Sequence, residues 1–215
     1  PRVAAVHDLS GFGRSSLTVI IPILSTMEIQ VCPLPTAVLS THTGGFENYE
    51  FVDLTDHMEG YINHWEQLNI DFDSIYSGFL GSIKQIDIVA DFINRFKDKS
   101  QFVVIDPVLG DDGHTYGPFG EEMVERMREF IVHADIITPN LTEASFLLEE
   151  DYSKTISRKK IKDWILRLSD RGPDKVIVTS VRNKKEEKKT AVIAYDKKDG
   201  RFWKINVDFI PANFP

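Results

Sequence analysis

The amino-acid sequence predicts an α/β fold in three layers, α/β/α, with a mostly parallel central sheet and helices on both faces. Short apolar runs such as Val3-Ala4-Ala5-Val6, Phe102-Val103-Val104-Ile105 and Val176-Ile177-Val178 alternate with amphipathic helical stretches, the pattern of repeated βα units. The runs are apolar at consecutive residues, as in strands covered on both sides. Polar, acid-bearing segments follow two of the runs at once: Asp106-Pro107-Val108-Leu109-Gly110-Asp111-Asp112-Gly113 after Ile105, and Thr138-Pro139-Asn140-Leu141-Thr142-Glu143 after Ile136-Ile137. Ligands of open α/β sheets bind beyond the carboxyl ends of strands.

In chain order, residues 2–7 read as a buried strand. Residues 15–27 read as a helix with Leu17, Ile20, Ile21 and Leu24 on one face, where Pro22 kinks or shortens it. Residues 29–32 and 37–39 read as two short strands. Residues 55–68 place Met58, Ile62, Trp65 and Leu68 at helical spacing, with Asp53 or Thr55 as the cap. A strand at 74–76 ends at Ser77-Gly78. The clearest helix is 82–97, striped by Ile83, Ile86, Val89, Ile93 and Phe96. A strand at 102–105 and a helix at 121–133 follow, then a helix beginning after Pro139-Asn140 and an amphipathic one over 157–168. Residues 175–179 form a parallel-type strand. The charged run 182–189 is a solvated turn, and strands 190–195 and 201–207 flank the hairpin turn Lys197-Lys198-Asp199-Gly200. No repeat or linker divides the chain, so residues 1–215 read as a single domain.

The balance of 25 Lys plus Arg against 33 Asp plus Glu gives a net charge of −8. That argues against a nucleic-acid partner, which would require a basic stripe. No apolar stretch nears the roughly 20 residues of a membrane span, and no charged-then-apolar leader opens the chain. The single cysteine, Cys32, rules out an internal disulfide and fits a reducing cytoplasm. Its neighbours Ile29, Val31 and Leu34 point to inert packing.

Acids at a strand end must be solvated, hold a metal or handle protons. Two such ends, at Asp106 and Glu143, indicate Mg²⁺ and phosphate chemistry, because Mg²⁺ takes one or two carboxylates beside substrate phosphates. Caps on the following turns would explain either acid alone. Gly11-Phe12-Gly13 lies between the first strand and a helix, where glycines admit a ligand to the backbone. The frame lacks the third glycine of a dinucleotide fingerprint, and no G-x-x-x-x-G-K-[ST] occurs. Thr41-His42-Thr43-Gly44-Gly45 offers hydroxyls and an imidazole to a polar ring, or is a glycine-assisted turn. Thr179-Ser180 ends a strand where phosphates would lie.

As a set, His7-Asp8-Leu9-Ser10-Gly11-Phe12-Gly13-Arg14, Thr41-His42-Thr43-Gly44, Ser77-Gly78-Phe79-Leu80-Gly81, Asp106-Pro107-Val108-Leu109-Gly110-Asp111 and Ile137-Thr138-Pro139-Asn140-Leu141-Thr142-Glu143-Ala144 resemble the pyridoxal kinases of the ribokinase-like superfamily. The five motifs stand in the family's order. The resemblance implies a ribokinase-like fold and transfer of the ATP γ-phosphoryl group to the 5′-hydroxymethyl of pyridoxal, pyridoxamine or pyridoxine. It implies that Asp8, Ser10, Thr43 and Phe79 meet the B6 vitamer. Asp106 and Glu143 would surround Mg²⁺, and Asp111, Asn140, Glu143, Thr179 and Ser180 would line the nucleotide side. It further implies a cytoplasmic homodimer, with K⁺ as an activating ion.

Two departures stand out. Many relatives carry serine at the position of Asp8; a carboxylate favours a protonated ring nitrogen or an amine-bearing substrate. Relatives also carry a Gly-Thr-Gly-Asp motif just past the position of Pro215, supplying the anion hole and the aspartate base. The expectation is therefore that no catalytic base lies within the 215 residues and that they belong to a longer protein. Pro1 in place of Met, and the apolar sheet surface a chain ending here would expose, are read the same way. Hydroxymethylpyrimidine kinase is the nearest alternative. A non-catalytic nucleotide-binding fragment and a nicotinamide oxidoreductase are more distant ones.

Overall fold

The computed structural model describes residues 1–43, 46–97, 101–117, 119–182 and 188–210. Gly44 and Gly45, residues 183–187 of the charged run and the tail 211–215 lie outside the described residues. The chain forms two compact units, residues 1–104 and residues from 105 onward.

The first unit is built on β1 (Arg2–Phe12), whose residues from Val3 to Asp8 are all buried. It pairs in parallel with β2 (Gln30–Thr41) on one side and β4 (Ser74–Ser77) on the other. The strand does not stop at His7 as expected. Phe12 still pairs with Thr41, so Gly11 and Phe12 lie within the strand and only Gly13 (φ 76°) turns away from it.

β2 is one strand of 12 residues where two short ones were expected. Its prolines explain both the expectation and the outcome. The Gln30 N–H donates to the Pro1 carbonyl, so Gln30, Cys32 and Leu34 turn their backbone groups toward β1. The missing N–H groups of Pro33 and Pro35 then face the opposite edge, where β3 (Phe51–Asp53) pairs only with Ala37–Leu39. At three exposed residues, β3 is too short to leave a periodic signal.

Helix α1 (Leu17–Thr26) starts two residues later than expected, because Ser16 takes a left-handed conformation at φ 49°, and Pro22 does not cut it short. The start of α2 (Thr55–Gln67) is held by Asp53 Oδ1, which accepts from the Thr55 N–H at 2.7 Å. Met58 and Ile62 of α2 are buried, whereas Leu68, expected inward, is exposed past the last turn. The Ser82 side chain caps α3 (Ile83–Phe96) by accepting from the Gln85 N–H at 3.3 Å. Beneath these helices Trp65, Phe72, Phe92 and Phe96 form an aromatic cluster; the Phe72 and Phe92 rings are 6.0 Å apart, edge to face. Strand β5 (Phe102–Ile105) follows with the expected bounds.

The second unit begins at the last residue of β5. A two-stranded ribbon, β6 (Gly110–Asp111) with β7 (His114–Thr115), was not anticipated. Its turn residues Asp112 (φ 49°) and Gly113 (φ 84°) are both left-handed, as a tight hairpin requires. The expected helix over 121–133 is α4 (Glu121–Phe130) followed by a 3₁₀ turn, Ile131–His133. Strand β8 (Ile136–Ile137) pairs in parallel with β9 (Lys175–Val181), which pairs antiparallel with β10 (Lys189–Asp196), and β10 with β11 (Arg201–Asp208). Between β8 and β9 the chain makes α5 (Leu141–Leu148) and α6 (Arg158–Asp170), which pack on β9. Among the described residues, no helix is long and apolar enough to cross a membrane.

Because Phe92 is fully buried in the aromatic cluster, Phe92→Ala is expected to cost roughly 3–5 kcal/mol in urea unfolding. A loss under about 1 kcal/mol would mean the cluster does not anchor this unit.

Candidate functional site

In the first unit the candidate residues gather at the carboxyl end of β1. The register of β1 against β2 slips where His7 faces Pro35 and Leu9 faces Val38. Thr36 and Ala37 thus oppose the single residue Asp8, a bulge of the kind that re-aims side chains. Asp8 is buried, and its Oδ2 accepts from the Ser10 hydroxyl at 3.0 Å. Phe79 is half-buried just past β4, its carbonyl accepting from the Thr36 hydroxyl at 3.0 Å. Thr43 is exposed in the bend after β2.

The sequence reading gave no role to His7. Burial pushes its imidazole down to about 3, against a raising hydrogen bond to the Tyr76 backbone, so it is a neutral ring at physiological pH. Tyr76 packs edge-on to it at 4.5 Å. A Cβ on Gly78 would come within 2.1 Å of His7 Nδ1, which explains the glycine of Ser77-Gly78-Phe79. In the same way a Cβ on Gly13 would strike the His42 ring at 2.0 Å.

In the second unit Glu143 organises the site. Asn140 caps α5 by accepting from the Glu143 N–H at 2.9 Å, and Glu143 Oε2 accepts from the Asn140 N–H at 2.7 Å. This reciprocal box satisfies two orphan donors of the helix start. Glu143 also reaches the segment after β5, its Oε1 accepting from the Leu109 N–H at 3.2 Å. Asn140 Nδ2 donates to the Gly110 carbonyl at 2.8 Å, and the Gly113 N–H donates to the Thr142 hydroxyl at 3.0 Å. The two acidic strand ends are therefore tied to each other through Asn140, Thr142 and Glu143. A Cβ on Gly110 would lie 2.0 Å from the His114 carbonyl oxygen, so the ribbon also needs its glycine.

Burial drives the Glu143 carboxyl up to about 8, the negative charge of Asp106 adding to the effect and the backbone donors opposing it. Asp106 rises to about 6, mainly through burial, while the Thr138 hydroxyl opposes the shift. Tyr116, also missed by the sequence reading, is pushed up to about 12 by burial and then by Asp111, Glu143, Asp106 and Asp112. Four acids thus converge near one phenol. Among the described residues no group of three or more His, Cys, Asp or Glu is arranged as a metal cage. A desolvated carboxylate pair instead suits Mg²⁺, which keeps waters and takes few protein ligands.

Asp111 is exposed, its Oδ1 accepting from the Asp112 N–H at 2.9 Å. The Thr179 N–H donates to the Pro139 carbonyl at 2.9 Å, joining β9 to the start of α5. Ser180 is exposed and left-handed (φ 56°), where β9 slips in register against β10. Cys32 is half-buried, and burial raises its thiol, in keeping with an inert side chain.

Between pH 6.5 and 8 an unfolded glutamate is ionised while folded Glu143 keeps its proton up to about 8. The folded state then binds more protons, so stability should fall as pH rises, by at most about 1.4 kcal/mol per pH unit. Urea unfolding across that window should show the slope, and Glu143→Gln should flatten it. An equal slope in the variant would contradict the assignment.

Residues 23–213 match the phosphomethylpyrimidine kinase family. A Bacteroides thetaiotaomicron protein described as a phosphomethylpyrimidine kinase, crystallised with pyridoxal, is 51% identical with a TM-score of 0.95, covering 100% of this chain and 74% of its own. Pyridoxal kinase from Lactobacillus plantarum is 28% identical with a TM-score of 0.87, covering 99% of this chain and 74% of its own. Pyridoxal kinase of Dictyostelium discoideum is 28% identical over 190 residues, covering 84% of this chain. The chain spans 60% of that relative's length. The fold is the ribokinase-like α/β fold, and the chain belongs to the phosphomethylpyrimidine kinase family.

Proposed function

We propose that the protein is a vitamin B6 kinase, transferring the γ-phosphoryl group of MgATP to the 5′-hydroxymethyl of pyridoxal, pyridoxamine or pyridoxine. The observation that carries this reading is the Bacteroides relative, 51% identical over the whole of this chain and crystallised with pyridoxal. In the first unit Asp8, steadied by the Ser10 hydroxyl, would bond the ring nitrogen and favour its protonated form. Phe79 would pack against the ring, and Thr43 would complete the pocket.

In the second unit Asp106 and Glu143 would hold Mg²⁺, whose charge offsets their mutual repulsion and that of the triphosphate. Asp111, Asn140, Thr179 and Ser180 would meet the nucleotide. The Gly-Thr-Gly-Asp sequence does not occur in these residues, and the aspartate base that activates the hydroxymethyl would be supplied from outside them. By the same resemblance the enzyme works in the cytoplasm as a homodimer that K⁺ activates.

A second reading, hydroxymethylpyrimidine kinase, is favoured by the family match itself. Its substrate also presents a hydroxymethyl group on a small heteroaromatic ring. Competing the vitamers against hydroxymethylpyrimidine with the full-length protein separates the two. The expected result is a kcat/KM at least about tenfold higher for a vitamer; the reverse order would select the second reading.

Within the site, Asp106→Asn is expected to lower kcat by about a hundredfold and weaken Mg²⁺ dependence, with little change in vitamer binding. Asp8→Ala should instead raise the vitamer KM. Steady-state kinetics on both substrates check this, and identical profiles for the two variants would reject the division of roles.

A further inference from the structure

Gln85 lies in the first turn of α3, on the face that otherwise carries Ile88, Val89 and Phe92, and it is 0% exposed. An amide on an apolar stripe is costly to bury unless its groups are paired. Here they are. Gln85 Oε1 accepts from the Gly81 N–H at 2.7 Å. Gln85 Nε2 donates to the Thr36 carbonyl at 2.9 Å and to the Thr55 hydroxyl at 2.8 Å, with Asp53 Oδ1 at 3.2 Å. The orientation of the amide follows from these partners, since a backbone N–H can meet only its oxygen and a carbonyl only its nitrogen.

Thr36, also 0% exposed, sends its hydroxyl to the Phe79 carbonyl at 3.0 Å. The other end of the loop is fixed as well. The Gly78 N–H donates to the Val6 carbonyl at 3.0 Å, with Gly78 resting against the buried His7 ring. Loop 78–81 is therefore held at both ends and in the middle, while the Phe79 side chain between them stays half-exposed.

We infer that Gln85 and Thr36 are positioning residues that set Phe79 for the aromatic substrate. The inference rests on the vitamin B6 reading for the identity of that substrate. Both act through the loop backbone, Gln85 on the Gly81 N–H and Thr36 on the Phe79 carbonyl. A packing role alone would be filled by an apolar side chain of similar volume, and would leave substrate recognition unchanged.

The test uses Thr36→Val and Gln85→Met in the full-length protein, each close to the native volume. Hydrogen exchange of the peptide spanning 78–81 should speed up about tenfold in both. The KM for pyridoxal should rise about tenfold, while the KM for ATP stays within about twofold. Unchanged exchange, or a pyridoxal KM that does not move in folded variants with faster exchange, would overturn the positioning role. So would equal rises in both KM values, which report general loosening. Exchange needs no substrate, so a wild-type protein that turned over no vitamer would reject the B6 reading and leave exchange to decide whether the loop is held. If Gln85→Met fails to fold, the milder Thr36→Val carries the decision.

Discussion

The Glu143 carboxyl joins two segments of the second unit, the start of α5 and the stretch after β5. One oxygen accepts from Asn140 at the start of α5 and the other from Leu109 in the segment after β5. Those donors favour the ionised carboxylate, yet burial and Asp106 push it toward the protonated form, and burial is the larger effect. The carboxyl is thus geometrically locked and electrically uncomfortable. Under the proposed function a divalent cation would offset this charge, and a carboxyl already fixed in place is the kind of preorganised group that favours charge stabilisation.

The first unit solves a different problem with similar means. Asp8, Thr36 and Ser10 are buried polar residues beside a strand bulge. Asp8 and Ser10 pair with each other within β1, while Thr36 sends its hydroxyl to the loop after β4 and receives the Gln85 amide on its carbonyl. A buried polar network with its members paired rigidifies and specifies its surroundings, here the backbone of the loop after β4. His7 supports the arrangement by remaining neutral, which its burial ensures.

Elements with one dominant physical signal were legible in the sequence. The bounds of β5 follow from four apolar residues stopped by Asp106, and α3 follows from its apolar stripe. The two acidic strand ends were legible for the same reason. Strand β2 was not, because prolines argue against a strand until the open edge they face is known. Strands β3, β6 and β7 are too short for periodicity to register. Gln85 did carry a signal, a polar residue at an inward position of an apolar stripe. Tyr116 carried none, since its surroundings come from residues brought near it only by folding. The motif resemblance grouped Asp8 with Phe79 and Asp106 with Glu143, but it said nothing of what holds them.

The most direct test of the account is the proton balance of Mg²⁺–nucleotide binding, measured by titration calorimetry at pH 7 in buffers of different ionisation enthalpy. Glu143 should be mostly protonated before binding and ionised after it, so the account predicts net release approaching about one proton, absent in Glu143→Gln. Binding with no proton release in the unaltered protein would contradict it.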